Sequence, residues 1–188
     1  PGKLKPAHHT FSIGTAGSTT LVLQTVLTPL LFADQPSTVR ISGGTHNRAS
    51  PPFHFLVRAF LPLLARMGAR VELELLAYGF YLRGGGEIRA GIAPSALRPI
   101  HLHERGALRR AHADAYVAAL PMHIAERELA VVGRMLEWSP EQLSLHALPN
   151  DVGPGNVVML TLDHANVTEV FTGFGERGER AEAVARAA

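Results

Sequence analysis

Cysteine is absent from the 188 residues. That excludes disulfides and cysteine-ligated metal, and it is compatible with a reducing compartment. No apolar run reaches the length of a membrane span; Thr20 to Ala33 comes nearest and is interrupted by Gln24 and Pro29. No charged, then apolar, then small-residue N-terminus suggests a secretory signal. Charge is sparse and nearly balanced, 18 Lys+Arg against 16 Asp+Glu, a net of +2. The sequence pI of about 9.4 therefore permits a phosphate-bearing partner without demanding one. The basic residues are scattered without interleaved aromatics, so no stacking platform for single-stranded RNA is visible. There is no Ser-His-Asp order with a nucleophile elbow, no clean internal repeat and no low-complexity segment. A hydrophobic fraction of 46% is enough to bury a core as one domain or two small ones. The expectation is a soluble, cytoplasmic protein. The chain opens at Pro1 without Met and closes on Arg180–Ala188, which looks like a helix getting under way; it reads as a fragment of a longer protein.

What is present is organised around Phe11-Ser-Ile-Gly-Thr-Ala-Gly-Ser-Thr-Thr-Leu-Val-Leu-Gln24, a short strand, a glycine turn and an apolar helix. Gly14 and Gly17 allow a tight turn, and Ser18, Thr19 and Thr20 suit a helix cap. A helix N-terminus after small residues can hold an anion on its free N–H groups, or the cluster is only a turn and a cap. Gln24 is either a satisfied amide in an apolar helix or a ligand contact. No Lys-Ser or Lys-Thr follows the second glycine, so the stretch is not a P-loop.

Beyond an entry loop up to His9, periodicity predicts strands over 11–13, 38–42, 70–76 and 87–92, and helices over 18–33 and from Pro51 or Pro52 to Met67. The order is β-α-β-α-β-β. Two prolines in 93–99 mark a boundary. Beyond it, strand-like residues occupy 100–102 and 108–120, a helix runs from Pro121 to about Glu137, and a strand covers 142–148. Asn150–Asn156 reads as a hairpin loop. Val157–Leu162 and Glu169–Phe174 then pair across Ala165-Asn166. The fold class is α+β, with helices packed on a sheet face.

Ten histidines invite a metal. His101 and His103 share a strand face at i, i+2, but no third ligand stands out, and a surface role is the alternative. His123 and Glu126 fit a solvated first helical turn. His46 and His54 flank a second glycine loop, Ser42-Gly-Gly-Thr-His-Asn47, which can face the same side as Gly14–Ser18. Gly84–Gly86 can wrap a phosphate or simply turn.

Taken in order, seven segments resemble the RNA 3'-terminal phosphate cyclase family. They are Gly14-Thr-Ala-Gly-Ser-Thr-Thr-Leu-Val-Leu-Gln-Thr-Val-Leu27, Ser42–Asn47, Pro51-Pro52 with Phe55, Gly79-Phe-Tyr-Leu-Arg-Gly-Gly-Gly86, Glu104-Arg-Gly106, His123-Ile-Ala-Glu-Arg-Glu128 and Asp151-Val-Gly-Pro-Gly-Asn156. The resemblance implies β-α-β-α-β-β repeats like the C-terminal domain of bacterial translation initiation factor 3, plus a smaller inserted α/β domain. Residues 1–97 then form one repeat, 98–176 the insert, and 177–188 the start of the next repeat's helix. It implies ATP and a divalent metal (Mg or Mn), and a substrate RNA ending in a 3'-phosphate that becomes a 2',3'-cyclic phosphate through a histidyl-AMP intermediate. Gln24 matches a family nucleotide contact, Pro51 and Phe55 match positions beside the adenine, and His46 and Asn47 lie in the adjoining loop. No histidine here matches the family nucleophile, whose segment would lie beyond Ala188, and the family's N-terminal metal and RNA residues have no counterpart.

Within the matched segments, Ser50 replaces a usual alanine, His54 an often acidic residue, and Leu82-Arg83 a usual Pro-Ala, which loosens the turn at Gly84–Gly86. The rival implied by the same resemblance is the non-catalytic branch of the family, a scaffold in ribosome assembly; a third reading is a generic initiation-factor-like RNA-binding module. The nucleotide-side residues favour the enzyme. These 188 residues alone are expected to take up no acid-labile label from ATP labelled at the α-phosphate; stable labelling of the isolated chain would refute that.

Overall fold

A computed structural model describes residues 7–188. They divide into two compact units, one reaching Leu102 and one running from His103 to Ala188. The sequence reading placed this boundary after residue 97.

The first unit comprises β1 (His8–Ser12), α1 (Thr19–Leu31), β2 (Ser37–Gly43), α2 (Phe53–Phe55), a π-helical turn (Leu56–Phe60), α3 (Leu61–Arg66), β3 (Arg70–Ala77) and β4 (Gly86–Ala93). This is the expected β-α-β-α-β-β order. The strands lie as β1-β2-β4-β3. β1 and β2 are parallel, as the α1 crossover between them requires; β4 is antiparallel to both its neighbours. Alternation along the strands sends Val39, Ile41, Ile88, Ala90 and Ile92 inward, none more than 1% exposed. Leu23, Leu27, Leu30 and Leu31 recur at helical spacing on α1 and meet them, with Phe53 and Leu56 closing the same core. The outward positions are charged: Arg40 pairs with Glu87, and Arg89 with Glu74 at 2.5 Å. Exposed pairs of this kind contribute about 0–1 kcal/mol each, so they make the face polar rather than hold the sheet together.

Two local expectations change. The first strand starts at His8, where His9 is in register with Val39, so the entry loop does not extend to His9; the rest of that loop, 1–6, lies outside the described residues. The helix expected from Pro51 or Pro52 to Met67 is interrupted by the π turn. Pro62 lacks an N–H and its ring crowds the carbonyl four residues back, and the wider turn directly ahead of it removes that conflict.

The second unit comprises β5 (Leu108–Ala118), α4 (His123–Leu136), β6 (Leu143–Leu148), β7 (Gly155–His164), β8 (Thr168–Phe174) and α5 (Ala181–Ala187). Its strands lie as β6-β5-β7-β8. β5 and β6 are parallel across α4, and β7 is antiparallel to β5 and β8. Both units are mixed sheets with helices, and the chain is α+β. The core joins Ala113, Ala115 and Val117 of β5 to Val158, to Ala125, Leu129 and Val132 of α4, and to Val184 and Ala185 of α5. Residues 100–102 form no strand, contrary to expectation; Pro94 and Pro99 interrupt the donor row there, and the stretch stays irregular. Asn150–Asn156 is not a hairpin loop. β5 lies between β6 and β7, so this segment carries the chain across to the far side of β5. The final helix, expected to open another repeat, packs in this unit: Arg127 on α4 donates from Nε and Nη2 to the two carboxylate oxygens of Glu182 at 2.9 and 2.7 Å.

One buried acid ties α4 to the sheet. Glu128 is 0% exposed, and Asn156 Nδ2 donates to its Oε1 at 2.5 Å. Its Oε2 has no partner. Burial pushes the carboxyl up to about 7, against the pull of the Asn156 hydrogen bond and of Arg127. The folded state therefore holds this proton more tightly than the unfolded chain. The resulting stability is complete below about pH 4.5 and is lost as pH rises to about 7. Glu128→Gln, which cannot ionise, is expected to flatten that loss. Its melting temperature relative to the parent should rise between pH 5 and pH 8, at roughly 4–8 °C per kcal/mol for a domain of this size. Melting curves that shift in parallel at both pH values would contradict the assignment.

Candidate functional site

Three glycine-containing loops converge in the first unit: 14–18 after β1, 43–47 at the end of β2, and 79–86 between β3 and β4. Their backbones bond directly. Gly44 N donates to Gly17 O at 2.8 Å, Thr19 N to Gly44 O at 2.9 Å, and both Thr45 N and His46 N to Gly79 O at 2.9 and 3.1 Å. Side chains finish the seam. Asn47 Nδ2 donates to Ala16 O at 2.6 Å, and Thr20 Oγ1 to Pro51 O at 2.7 Å. Such close approach needs residues without a Cβ. At Gly44 a Cβ would collide with Ala16 O and the Asn47 amide; at Gly84, whose φ is +68°, it would lie 2.7 Å from Thr15 O. The turn at Gly84–Gly86 forms despite Leu82-Arg83: Gly84 N donates to Phe80 O at 2.7 Å, leaving Tyr81 and Leu82 exposed at its tip.

The α1 N-terminus uses two of its first donors within the protein. Ser18 Oγ caps Leu21 N at 3.2 Å, and the N–H of Thr19 is taken by Gly44 O. The cap reading of Ser18–Thr20 therefore holds, and the first-turn donors of Thr19 and Leu21 are used within the protein.

The predicted residues fall on this seam to different degrees. Gln24 is half-buried on α1, one turn beyond Thr20 and so on the helix face that bonds Pro51. Pro51 and Phe55, both half-buried, bracket the start of α2, which is held by Phe53 N donating to Thr45 O at 3.0 Å. Asn47 uses its amide nitrogen on Ala16, while its Oδ1 is buried without a partner. Half-buried Phe and Pro offer the flat apolar surface that suits the face of a nucleobase, so Pro51 and Phe55 fit an adenine, whereas the Asn47 amide is turned into the seam. His46 is 1% exposed. Its Nδ1 lies 2.8 Å from Thr45 Oγ1 and its Nε2 2.9 Å from His54 Nδ1. It reaches a ligand only through those neighbours. Burial first, and the adjacent His54 second, hold its pKa well below the usual histidine value.

His101, His103, His123 and Glu126 are exposed. Among the described residues no group of three or more His, Cys, Asp or Glu could hold a metal ion, so these residues do not fit the divalent metal that the resemblance implies. Sequence reasoning missed a polar cluster in the second unit. His146 Nε2 lies 2.8 Å from Asp114 Oδ1, Tyr116 stacks on His146 with centroids 4.5 Å apart, and His112 Nε2 is 3.7 Å from Asp114 Oδ2. The i, i+2 spacing of His112, Asp114 and Tyr116 was its available signal.

A family profile for RNA 3'-terminal phosphate cyclase matches residues 1–173. Proteins named RNA 3'-terminal phosphate cyclase are similar to this chain in Ectopseudomonas mendocina (54% identical over 185 residues, 98% of this chain and 54% of the relative). Others occur in Ralstonia nicotianae (52% over 195 residues, 98% and 53%) and Koribacter versatilis (44% over 189 residues, 100% and 53%). The chain spans about half the length of the curated relatives it matches. With a match over nearly its whole length and the glycine seam in place, the chain belongs to the RNA 3'-terminal phosphate cyclase family.

Proposed function

We propose that the protein to which these residues belong is an RNA 3'-terminal phosphate cyclase, a ligase-type enzyme that uses ATP to convert an RNA 3'-phosphate into a 2',3'-cyclic phosphate. The observation that carries the reading is the tie between α1 and the Pro51–Phe55 segment. It holds α1, which carries Gln24 one turn beyond Thr20, against the segment that carries Pro51 and Phe55. In this reading Phe55 and Pro51 cover the adenine, Gln24 supplies a hydrogen-bond partner at its edge or ribose, and His46 and Asn47 hold the loop rather than the ligand. A histidine outside these residues acts as nucleophile. Its nitrogen attacks the α-phosphorus, and the bond to the departing diphosphate breaks. AMP then passes to an oxygen of the RNA 3'-phosphate, and the neighbouring 2'-hydroxyl oxygen attacks that phosphorus and displaces AMP. Splitting the exchange in this way makes each step a displacement of a good leaving group.

The finer fold reading belongs here too: the first unit is one repeat of the initiation-factor-like kind and the second is the insert. A cytoplasmic location and a role in RNA processing follow from the same reading; no helix among the described residues is long and apolar enough to cross a membrane.

The test uses the whole protein, ATP labelled at the α-phosphate, and an oligoribonucleotide ending in a 3'-phosphate. Acid-labile label on the protein and a product end that resists phosphatase are expected. Gln24→Ala should weaken ATP binding about tenfold, the equivalent of about 1.4 kcal/mol, without changing the melting temperature. Whole protein that neither takes up label nor protects the RNA end would refute the reading.

A further inference from the structure

The tip of the 79–86 loop carries two large apolar side chains that the core does not use. Leu82 is 75% exposed and Tyr81 71%, the highest values for large apolar side chains among the described residues; the next, Phe32, is 64%. Apolar residues scattered singly over a surface are ordinary, but two adjacent ones on one turn ask for a partner. The turn also departs from the resemblance, with Leu82-Arg83 in place of the usual Pro-Ala.

The turn is anchored at both feet. On the incoming side Gly79 O accepts from Thr45 N and His46 N at 2.9 and 3.1 Å, and Gly79 N donates to Thr45 Oγ1 at 3.0 Å. Phe80 follows, buried, with its ring centroid 5.6 Å from that of His46. On the outgoing side Gly84 N donates to Phe80 O at 2.7 Å and closes the excursion. The Gly84 backbone lies so close to the 14–18 loop that a Cβ there would come within 2.7 Å of Thr15 O and 3.0 Å of Ala16 Cα. One foot therefore stands on the loop that leads to Pro51, and the other on the loop that leads into α1 and Gln24. A tip held at both ends presents its side chains already ordered, so a ligand that binds them meets little further entropy cost from the backbone. Tyrosine suits such a place, because it offers a wide, stiff surface on only two rotatable bonds.

We propose that Tyr81 stacks on a base near the 3' end of the substrate RNA. This rests on reading the protein as an RNA 3'-phosphate cyclase. The end of a single strand offers bases whose faces are open, and an aromatic ring is a common partner for them. Such a contact reads no sequence, because every base has a π-face, and that suits an enzyme that acts on ends. The sequence shows no row of aromatics, and the tip supplies one ring. The contact is accordingly with one nucleotide, held beside the seam, and not with a length of strand. The other occupant open to an exposed Tyr-Leu pair is protein, and the choice of variants separates the two.

The experiment uses the whole protein and oligoribonucleotides ending in a 3'-phosphate, in which each of the last few nucleotides is replaced in turn by one lacking its base. RNA affinity is measured for the parent, Tyr81→Phe, Tyr81→Leu and Tyr81→Ala. Protein labelling from ATP labelled at the α-phosphate, without RNA, is followed alongside. Tyr81→Ala should lose about tenfold in RNA affinity, as expected for the loss of one stacked base. Tyr81→Phe keeps the ring face and should stay within about twofold of the parent. Tyr81→Leu, apolar but not flat, should lose nearly as much as Tyr81→Ala. Labelling from ATP and the melting temperature should be unchanged in all three. Removing the base that stacks should cost the parent about tenfold and cost Tyr81→Ala nothing more. The proposal is overturned, with the functional reading intact, by parent-like RNA affinity in Tyr81→Ala, by base removal that costs both proteins alike at every position, or by Tyr81→Leu binding as well as Tyr81→Phe. A loss of melting temperature or of ATP labelling that accompanies the loss of RNA affinity assigns Tyr81 to packing within the protein and overturns it as well. A parent that neither takes up label nor binds the RNA removes the functional reading and the proposal together.

Discussion

The first unit depends on one constraint: three loops must bring their backbones within hydrogen-bond distance of each other. Gly44 N to Gly17 O at 2.8 Å and Thr45 N to Gly79 O at 2.9 Å leave no space for a Cβ at Gly44, Gly79 or Gly84. Everything functional in the unit is placed relative to that seam. α1 starts on it, because the N–H of its first residue is bonded to Gly44 O. α2 starts on it, because Phe53 N is bonded to Thr45 O. A helix that begins on a backbone hydrogen bond to another loop has its axis and rotation fixed at that end. Gln24 inherits its position from this arrangement, and Phe55 from it and from packing against the core.

The closeness also explains which loop groups remain for a ligand. A glycine turn ahead of a helix suggests free N–H groups, but here the loops satisfy each other. Ser18 Oγ takes Leu21 N, and Gly44 O takes Thr19 N. Asn47 Oδ1 is buried without a partner, and Pro51 and Phe55 are half-buried. Flat apolar surface of that kind suits a base better than a phosphate.

Much of the fold was legible because the signals were periodic. Val39 and Ile41 alternate with Arg40, Leu23 and Leu27 recur at helical spacing, and the β-α-β-α-β-β order follows from them. Errors arose where pairing partners, not propensity, decide the outcome. Asn150–Asn156 has every feature of a hairpin loop, yet β5 intervenes between the strands it joins, and sheet order is invisible in local sequence. The π turn before Pro62 is a compromise that a proline in an apolar helical pattern signals only in part. At the site, Gln24, Pro51 and Phe55 came from family resemblance and not from spacing. The His46–His54 contact joins residues eight apart across a loop, and Gly79 lies farther still, so only the folded seam brings them together. Asp114 meets His146 through the parallel register of β5 and β6, which no single-strand pattern encodes.

Two of the motifs that carried the resemblance, His123–Glu128 and Asp151–Asn156, take no part in the seam. The structure gives them a different physical basis. Each ends on one partner of a buried pair: Glu128 closes the first motif, Asn156 the second, and they meet at 2.5 Å between α4 and the first turn of β7. A fully buried carboxyl with one oxygen unpartnered costs about 1–3 kcal/mol, and an apolar residue of similar shape would avoid that cost. What the polar pair adds is direction. An apolar contact would let α4 slide or rotate over Val117 and Val158, whereas a single hydrogen bond in an apolar layer admits one register. In the first unit the Thr45–His46–His54 contacts form a second small polar network beside the hydrophobic core. In both units, then, hydrophobic burial supplies the stability while a small polar network selects one arrangement.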